Sequence, residues 1–259
     1  MDSLRSIYTH HNDLISDKWE SYLEVYESLL TPFRENENIS LLEIGVQNGG
    51  SLQIWKRFFG EHSRIIGCDI DTECLKIDFK IRGIEFFLGD ITSPETLADL
   101  SSACKNFDIV IDDGSHVSSD IISTFINIFP KIKSGGLYIV EDLHCAYWSD
   151  FEGGLKYDLS SVNFFKCIVD IVNFEHWGVP ITRGQFLKPF VGDIPLIDEM
   201  LSDVYSVMFY NSMCVVKKKP AQLNVLGARL IVGGSELVCK VSHKSGTFSV
   251  APSQNSQKE

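Results

Sequence analysis

The stretch Leu41-Leu42-Glu43-Ile44-Gly45-Val46-Gln47-Asn48-Gly49-Gly50-Ser51-Leu52 decides the fold. Leu41–Val46 is an apolar run broken by one acid, the pattern of a strand covered on both faces. The glycines after it predict a turn in which backbone takes positive φ and a ligand approaches closely. Leu52, Trp55, Phe58 and Phe59 then mark one face of a helix. Strand, glycine turn and helix form the opening unit of a doubly wound sheet.

The alternation continues in both directions. Arg64–Asp69 (RIIGCD), Ile84–Leu88 (IEFFL), Phe107–Ile111 (FDIVI) and Leu137–Val140 (LYIV) are predicted strands, the last introduced by a turn at Ser134-Gly135-Gly136. Helices are predicted over Glu95–Cys104 and through Ile121, Ile122, Phe125, Ile126 and Phe129, ended by Pro130. Phe164–Phe174 is a further predicted helix, and Tyr205–Lys217 an antiparallel hairpin turning at Asn211-Ser212. Upstream, Tyr22, Val25, Tyr26, Leu29, Leu30 and Phe33 make one helical stripe, closed by Pro32 and the polar stretch 34–38. The expected class is α/β: a doubly wound, mostly parallel seven-stranded sheet with an N-terminal helical cap. The predicted organisation is a cap over 1–38, the sheet domain over 39–219 and an extension over 220–259. In that extension Leu223–Leu226 and Glu236–Val241 are strand candidates, and the last eight residues are expected to be disordered.

Composition narrows the function. The 259 residues are 44% hydrophobic and 22% charged, ordinary for a globular chain. Lys+Arg 23 against Asp+Glu 35 gives a net charge of −12, which repels phosphate backbones and anionic lipid. Nucleic acid and membrane are therefore excluded as expected partners. No apolar run reaches membrane-spanning length, and the start, MDSLRSIYTHHND, lacks a signal-peptide core. Seven cysteines without a CxxC pair are expected to be reduced thiols in the cytoplasm.

The glycine turn is neither GxGxxG nor GxxxxGK[ST], which disfavours pyrophosphate binding and rules out a P-loop. An acid inside the strand end followed by spaced glycines suits S-adenosylmethionine, a zwitterionic amino acid on a nucleoside with no phosphate to cradle. Glu43 is expected to support the loop or meet the ammonium group through water. Asp69 ends the second strand, where a carboxylate accepts from both ribose hydroxyls. Asp90 follows the third, where a short acceptor meets an adenine amine. Each acid alone would serve equally as a helix cap; three at successive strand ends point to a nucleoside site.

Asp112-Asp113-Gly114-Ser115-His116 ends the fourth strand and Glu141-Asp142-Leu143-His144 the fifth. Asp113, Glu141 and Asp142 are expected to converge as hard oxygen donors, an arrangement costly without a cation. Oxygen ligation suits Mg²⁺ or Mn²⁺ better than Zn²⁺. His116, three residues after Asp113, is the expected base for an alcohol nucleophile. Asp112 reads as structural, and His144 as a second base or a wall residue.

These residues resemble those of class I SAM-dependent methyltransferases, and within them the metal-dependent sugar O-methyltransferases of macrolide biosynthesis. Ser16-Asp17-Lys18-Trp19 with Tyr22 and Tyr26, then Leu42–Val46 with Gly49–Leu52 and Trp55-Lys56, carry the first half of the likeness. Asp112–His116, Gly135–Tyr138 through Glu141-Asp142, and Tyr147-Trp148 carry the more specific half. It spans residues 8 to 219. Ser16 stands where the family usually has threonine, and Ala146 where it usually has serine. The resemblance implies metal ligands Asp113, Glu141 and Asp142 and a base at His116. It implies cofactor contacts at Ser16, Glu43, Gly45, Ser51, Asp69 and Asp90; Gly50 and Asp113 are expected among them as well.

The expected activity is divalent-metal-dependent methyl transfer from S-adenosylmethionine to a hydroxyl of a sugar or glycosylated small molecule. Vicinal hydroxyls would chelate the metal; catechol-like phenols meet the same requirement. Tyr147, Trp148, Phe151 and Trp177 are candidates for stacking on the acceptor ring, or ordinary core aromatics. A non-catalytic SAM-binding module and an NAD-type oxidoreductase are the rival readings. The intact acids and His116 oppose the first, the turn spacing the second. A homo-oligomer is expected by analogy.

Overall fold

The structure, a computed structural model, describes residues 2–36, 38–80 and 83–254. At its centre is a seven-stranded sheet of order β3-β2-β1-β4-β5-β7-β6. The strands are β1 (Ser40–Ile44), β2 (Arg64–Asp69), β3 (Glu85–Leu88), β4 (Phe107–Asp112), β5 (Ile132–Val140), β6 (Val204–Tyr210) and β7 (Met213–Lys218). The first five run parallel, and β7 joins β5 and β6 antiparallel. The predicted class, strand number and terminal hairpin are all present.

Alternation along the inner strands builds two cores. Leu42, Val110 and Tyr138 face one layer, with α4 (Pro94–Ala103), α5 (Ser118–Ile128) and α6 (Ser161–Val172). Leu41, Ile109 and Ile139 face the other, with α1 (Leu4–Thr9), α2 (Glu20–Leu30) and α3 (Gly50–Phe59). Strands apolar on both faces are thereby covered on both sides. Near the hairpin, α7 (Arg183–Val191) and α8 (Ile197–Ser202) complete the first layer.

Register places the site. Ile44 pairs with Asp112, and Asp112 with Val140. The amide of Asp113 donates to Ile44 O at 2.9 Å, and that of Glu141 to Asp112 O at 2.9 Å. Gly45, Asp113 and Glu141 thus stand side by side just beyond three adjacent strand ends, where the topology reverses.

Several expectations are corrected. The stripe through Phe33 is two elements: α2 stops at Leu30, because Pro32 cannot continue it, and Thr31–Glu35 form a 3-10 turn. β5 begins five residues before Leu137; Ser134-Gly135-Gly136 lies inside the strand, where the pairing with β4 shifts register. The helix expected from Phe164 starts at Ser161, capped by Ser160 Oγ. The short helices α1, α7 and α8 had no clear stripe. Neither strand candidate in the extension forms. Leu223 closes a 3-10 turn, and the Glu236 carboxylate accepts the N–H groups of Val241 (2.7 Å) and Ser242, folding 236–242 onto itself without a partner strand. Of the eight residues expected to be disordered, 255–259 lie outside the described residues.

Candidate active site

The carboxyl ends of the five parallel strands open into one cavity of about 620 Å³. Gly45, Asp69, Asp90, Asp113 and the pair Glu141-Asp142 line it, each within two positions of a strand end. Residues 15–19, leading into α2, cover it from the other side.

Gly45 has φ +83°, and a Cβ there would stand 2.0 Å from the Asp113 carbonyl oxygen. Only glycine fits this turn. Asp69 pins the same turn: Oδ2 accepts the N–H of Val46 at 2.6 Å and of Gln47 at 3.1 Å, and Oδ1 that of Asp71 at 2.9 Å. Asp90 Oδ1 accepts the Thr92 amide at 2.8 Å and its hydroxyl at 2.7 Å. Both acids still line the cavity.

Ser51 also lines it, and its Oγ donates to Glu43 Oε2 at 2.7 Å. Glu43 and Gly50 stand just behind the lining residues of the cavity. Glu43 is fully buried and supports the loop from behind. Gly50 is met instead by the chain itself: its N–H donates to Ile15 O at 3.2 Å, and a Cβ would be 2.3 Å from Leu14 O. Ser16 Oγ is buried with no hydrogen-bond partner among the described residues, and Ser16 lines the cavity.

The carboxylates are organised by four residues of the N-terminal segment, Lys18, Trp19, Tyr22 and Tyr26. Lys18 Nζ lies 3.1 Å from Glu43 Oε1, 2.6 Å from Asp113 Oδ2 and 2.8 Å from Glu141 Oε1. Trp19 Nε1 donates to Asp142 Oδ1 at 2.9 Å, and Tyr22 Oη donates to the same oxygen at 2.8 Å. Tyr26 Oη donates to Glu141 Oε1. Burial pushes the Glu43 and Glu141 carboxyls up against the pull of Lys18. Burial also opposes the Lys18 charge, yet Glu141, Glu43 and Asp113 together hold its ammonium well above the usual lysine range. The ammonium therefore persists. Burial outweighs the attraction of Lys18 at Glu43 and Glu141, so their carboxyls rise.

His116 sits at φ +60° before α5, with Nε2 4.0 Å from Asp113 Oδ1 and 3.9 Å from Asp142 Oδ2. Asp113, Asp142 and His116 each offer a ligand atom within 4.8 Å of the others. Glu141 falls in a second such group with Glu43 and Asp113, the one around Lys18. Asp113 is common to both groups. Asp142 takes φ +51°. Two carboxylates with an oxygen turned toward the cavity are a hard donor set with room for water, and they fit Mg²⁺ or Mn²⁺. Asp112 is structural, as expected: Oδ2 accepts the Tyr138 hydroxyl at 2.6 Å, and burial pushes its carboxyl up to about 7.

An arc of rings runs from the cap to the base. Trp19 meets His144 edge-on at 6.0 Å, His144 meets Trp148 at 4.9 Å, Trp148 meets Phe151 at 6.2 Å, and Phe151 meets His116 at 6.4 Å. Trp177 is elsewhere. It packs between Phe174 and Phe186 with Nε1 donating to Asp170 O, a core aromatic rather than a cleft wall. Lys18, Trp19, Tyr22 and Tyr26 had no role assigned from sequence; the i, i+4 tyrosines read as part of an apolar stripe.

Residues 42–143 match the family described as a methyltransferase domain. The 8-demethyl-8-alpha-L-rhamnosyl tetracenomycin-C 2'-O-methyltransferase of Streptomyces olivaceus is 36% identical over 184 residues, 67% of this chain and 47% of the relative. The demethylmacrocin O-methyltransferase of Streptomyces fradiae is 35% identical over 184 residues, 66% and 45% respectively. The chain therefore spans about half the length of these relatives. Among solved structures, the MycE methyltransferase of the mycinamycin biosynthetic pathway, in complex with Mg, SAH and mycinamycin VI, superposes with a TM-score of 0.69 at 25% identity. That match covers 85% of this chain and 54% of the other.

Proposed function

This chain belongs to the class I SAM-dependent methyltransferases, and from that premise we propose that it moves the methyl group of S-adenosylmethionine to a hydroxyl of a sugar or glycosylated small molecule, with a divalent cation. The observation that carries this reading is the position of His116 Nε2, about 4 Å from both Asp113 and Asp142. It stands on the same cavity as the glycine turn and Asp69. The sugar O-methyltransferases among the relatives support the acceptor class.

The cofactor supplies an electrophilic methyl on a sulfonium, whose departure leaves a neutral thioether. Bound Mg²⁺ or Mn²⁺ supplies Lewis acidity toward the acceptor oxygen and chelation of a vicinal diol. The chain does the rest. Asp69 offers carboxylate oxygen to a ribose, and Ser16 Oγ offers its free hydrogen bond. Asp90 stands where a base edge would lie. Asp113 and Asp142 would hold the cation, with Glu141 the third expected ligand beside them. His116 Nε2 takes the acceptor's proton, and the two nearby carboxylates stabilise the imidazolium that results. Trp148 and Phe151 border the base and present ring faces to a sugar. Residues 15–19 keep water from the reacting atoms.

The test is a methyl-transfer assay on rhamnosides and other glycosides, with catechols alongside, in Mg²⁺ and in EDTA. Transfer to a glycoside that EDTA abolishes and Mg²⁺ restores is the expected result. Transfer to catechols alone would replace the acceptor class, and no transfer to either, with SAH bound, would make the chain a binding module.

A further inference from the structure

Residues 227–251 form an arm whose two ends are fastened to one short stretch of the body, 174–178. Glu175 Oε1 accepts the Leu226 N–H at 2.7 Å, and Gly178 O accepts the Gln254 N–H at 2.8 Å. The arm is also bonded within itself. Ala228 bridges Phe248, Arg229 N donates to Thr247 O at 2.8 Å, and Gly246 N donates to Arg229 O at 3.0 Å. Near the tip, the Glu236 carboxylate accepts the N–H groups of Val241 and Ser242. The backbone is thus held in shape, yet its apolar side chains are left in water. Leu237 is 93% exposed and Val238 100%, with Leu230, Val232, Phe248 and Val250 exposed as well. Apolar surface presented in this way marks an interaction site. None of these residues lines the catalytic cavity.

Charge selects the partner. Residues 217–259 carry seven Lys and Arg against two acids, whereas residues 1–216 carry 16 against 33. Arg229, Lys240 and Lys244 are exposed, and no ion pair engages them among the described residues. The acidic body repels nucleic acid and anionic lipid, while a second copy of the chain offers acids to the arm. One stretch of the body matches the arm in both apolarity and charge. Within 150–159, Leu155 is 75% exposed, Tyr157 and Leu159 are exposed beside it, and Asp150, Glu152 and Asp158 stand among them with one cation, Lys156. Glu152 is engaged by the Ser119 amide at 3.1 Å, which leaves Asp150 and Asp158 as the outward acids.

We propose that the arm docks on residues 150–159 of a second copy, its leucines and valines against Leu155, Tyr157 and Leu159 and its cations against Asp150 and Asp158. Each copy carries both surfaces, and mutual exchange closes a twofold dimer in which the apolar side chains of both arms are covered. The inference depends on neither the metal nor the acceptor.

The experiment is sedimentation equilibrium of the full chain over a concentration series reaching about 100 μM, with the melting of every variant followed alongside. Wild type is expected to form a dimer. Leu237→Asp with Val238→Asp, both at exposed positions, is expected to melt as wild type does and to raise the dissociation constant at least about tenfold. Lys240→Glu with Lys244→Glu, and separately Asp150→Lys with Asp158→Lys, are each expected to weaken the dimer at low salt, and the four changes in one chain to restore it. A wild type that stays monomeric throughout overturns the inference. So does a dimer indifferent to the arm pair or to the acid pair, or a combined chain no better than either reversal alone. The unaltered protein gives a second reading through Cys239, the exposed cysteine among the described residues, which lies in the arm. Its alkylation is expected to slow as the concentration rises through the dimer range, and a constant rate overturns the inference.

Discussion

Trp19 donates its indole N–H to Asp142 Oδ1 at 2.9 Å, across 123 residues of chain. Asp142 is thereby oriented from the cap, and its Oδ2 is left toward His116. Trp19 is 59% exposed, so its loss removes little burial. Trp19→Phe should leave melting nearly unchanged and weaken Mn²⁺ binding about tenfold, the worth of roughly one hydrogen bond to a charged group. A paramagnetic resonance titration checks it, and unchanged affinity would remove Trp19 from the account.

His116→Ala should retain SAH affinity by calorimetry and lose turnover by about 10²- to 10⁴-fold, the usual contribution of a positioned base. Undiminished turnover would assign the proton to another group, with His144 the next to examine. His144 Nδ1 already engages Ser212 Oγ, and the ring stands between Trp19 and Trp148.

Gly45→Ala brings a Cβ to 2.0 Å from the Asp113 carbonyl at φ +83°. The left-handed backbone alone costs about 1–2 kcal/mol, and the clash adds to it. The expected result is a melting temperature lower by at least about 4 °C, with SAH binding lost. Wild-type melting and binding would show that the turn opens freely, contrary to this geometry.

Tyr26→Phe leaves Glu141 buried with one donor fewer. A loss of about 1–3 kcal/mol is expected, read by denaturant titration. Because Tyr26 is fully buried and does not line the cavity, SAH affinity should stay within a few fold.

The sheet was legible because its inner strands are apolar on both faces, and each ends in a recognisable turn. The strand-end acids were legible for the same reason: a residue one position past a buried run must open on the crevice. What sat on those acids was not legible. Lys18 meets partners 25 and 95 residues away, and Trp19 one at 123, and no local spacing encodes such contacts. The same gap hid the packing of residues 14–15 against Gly50. The extension misled differently. Leu237 and Val238 have strand-forming neighbours in sequence, but no sheet edge reaches them, and both remain exposed.

Crystals grown with SAH and Mn²⁺ give the most direct test, through the anomalous difference map at the manganese edge. The account predicts one peak per chain at the carboxylates of Asp113 and Asp142, beside His116. A map with no peak at those two carboxylates, at Mn²⁺ levels that support methyl transfer, would contradict it.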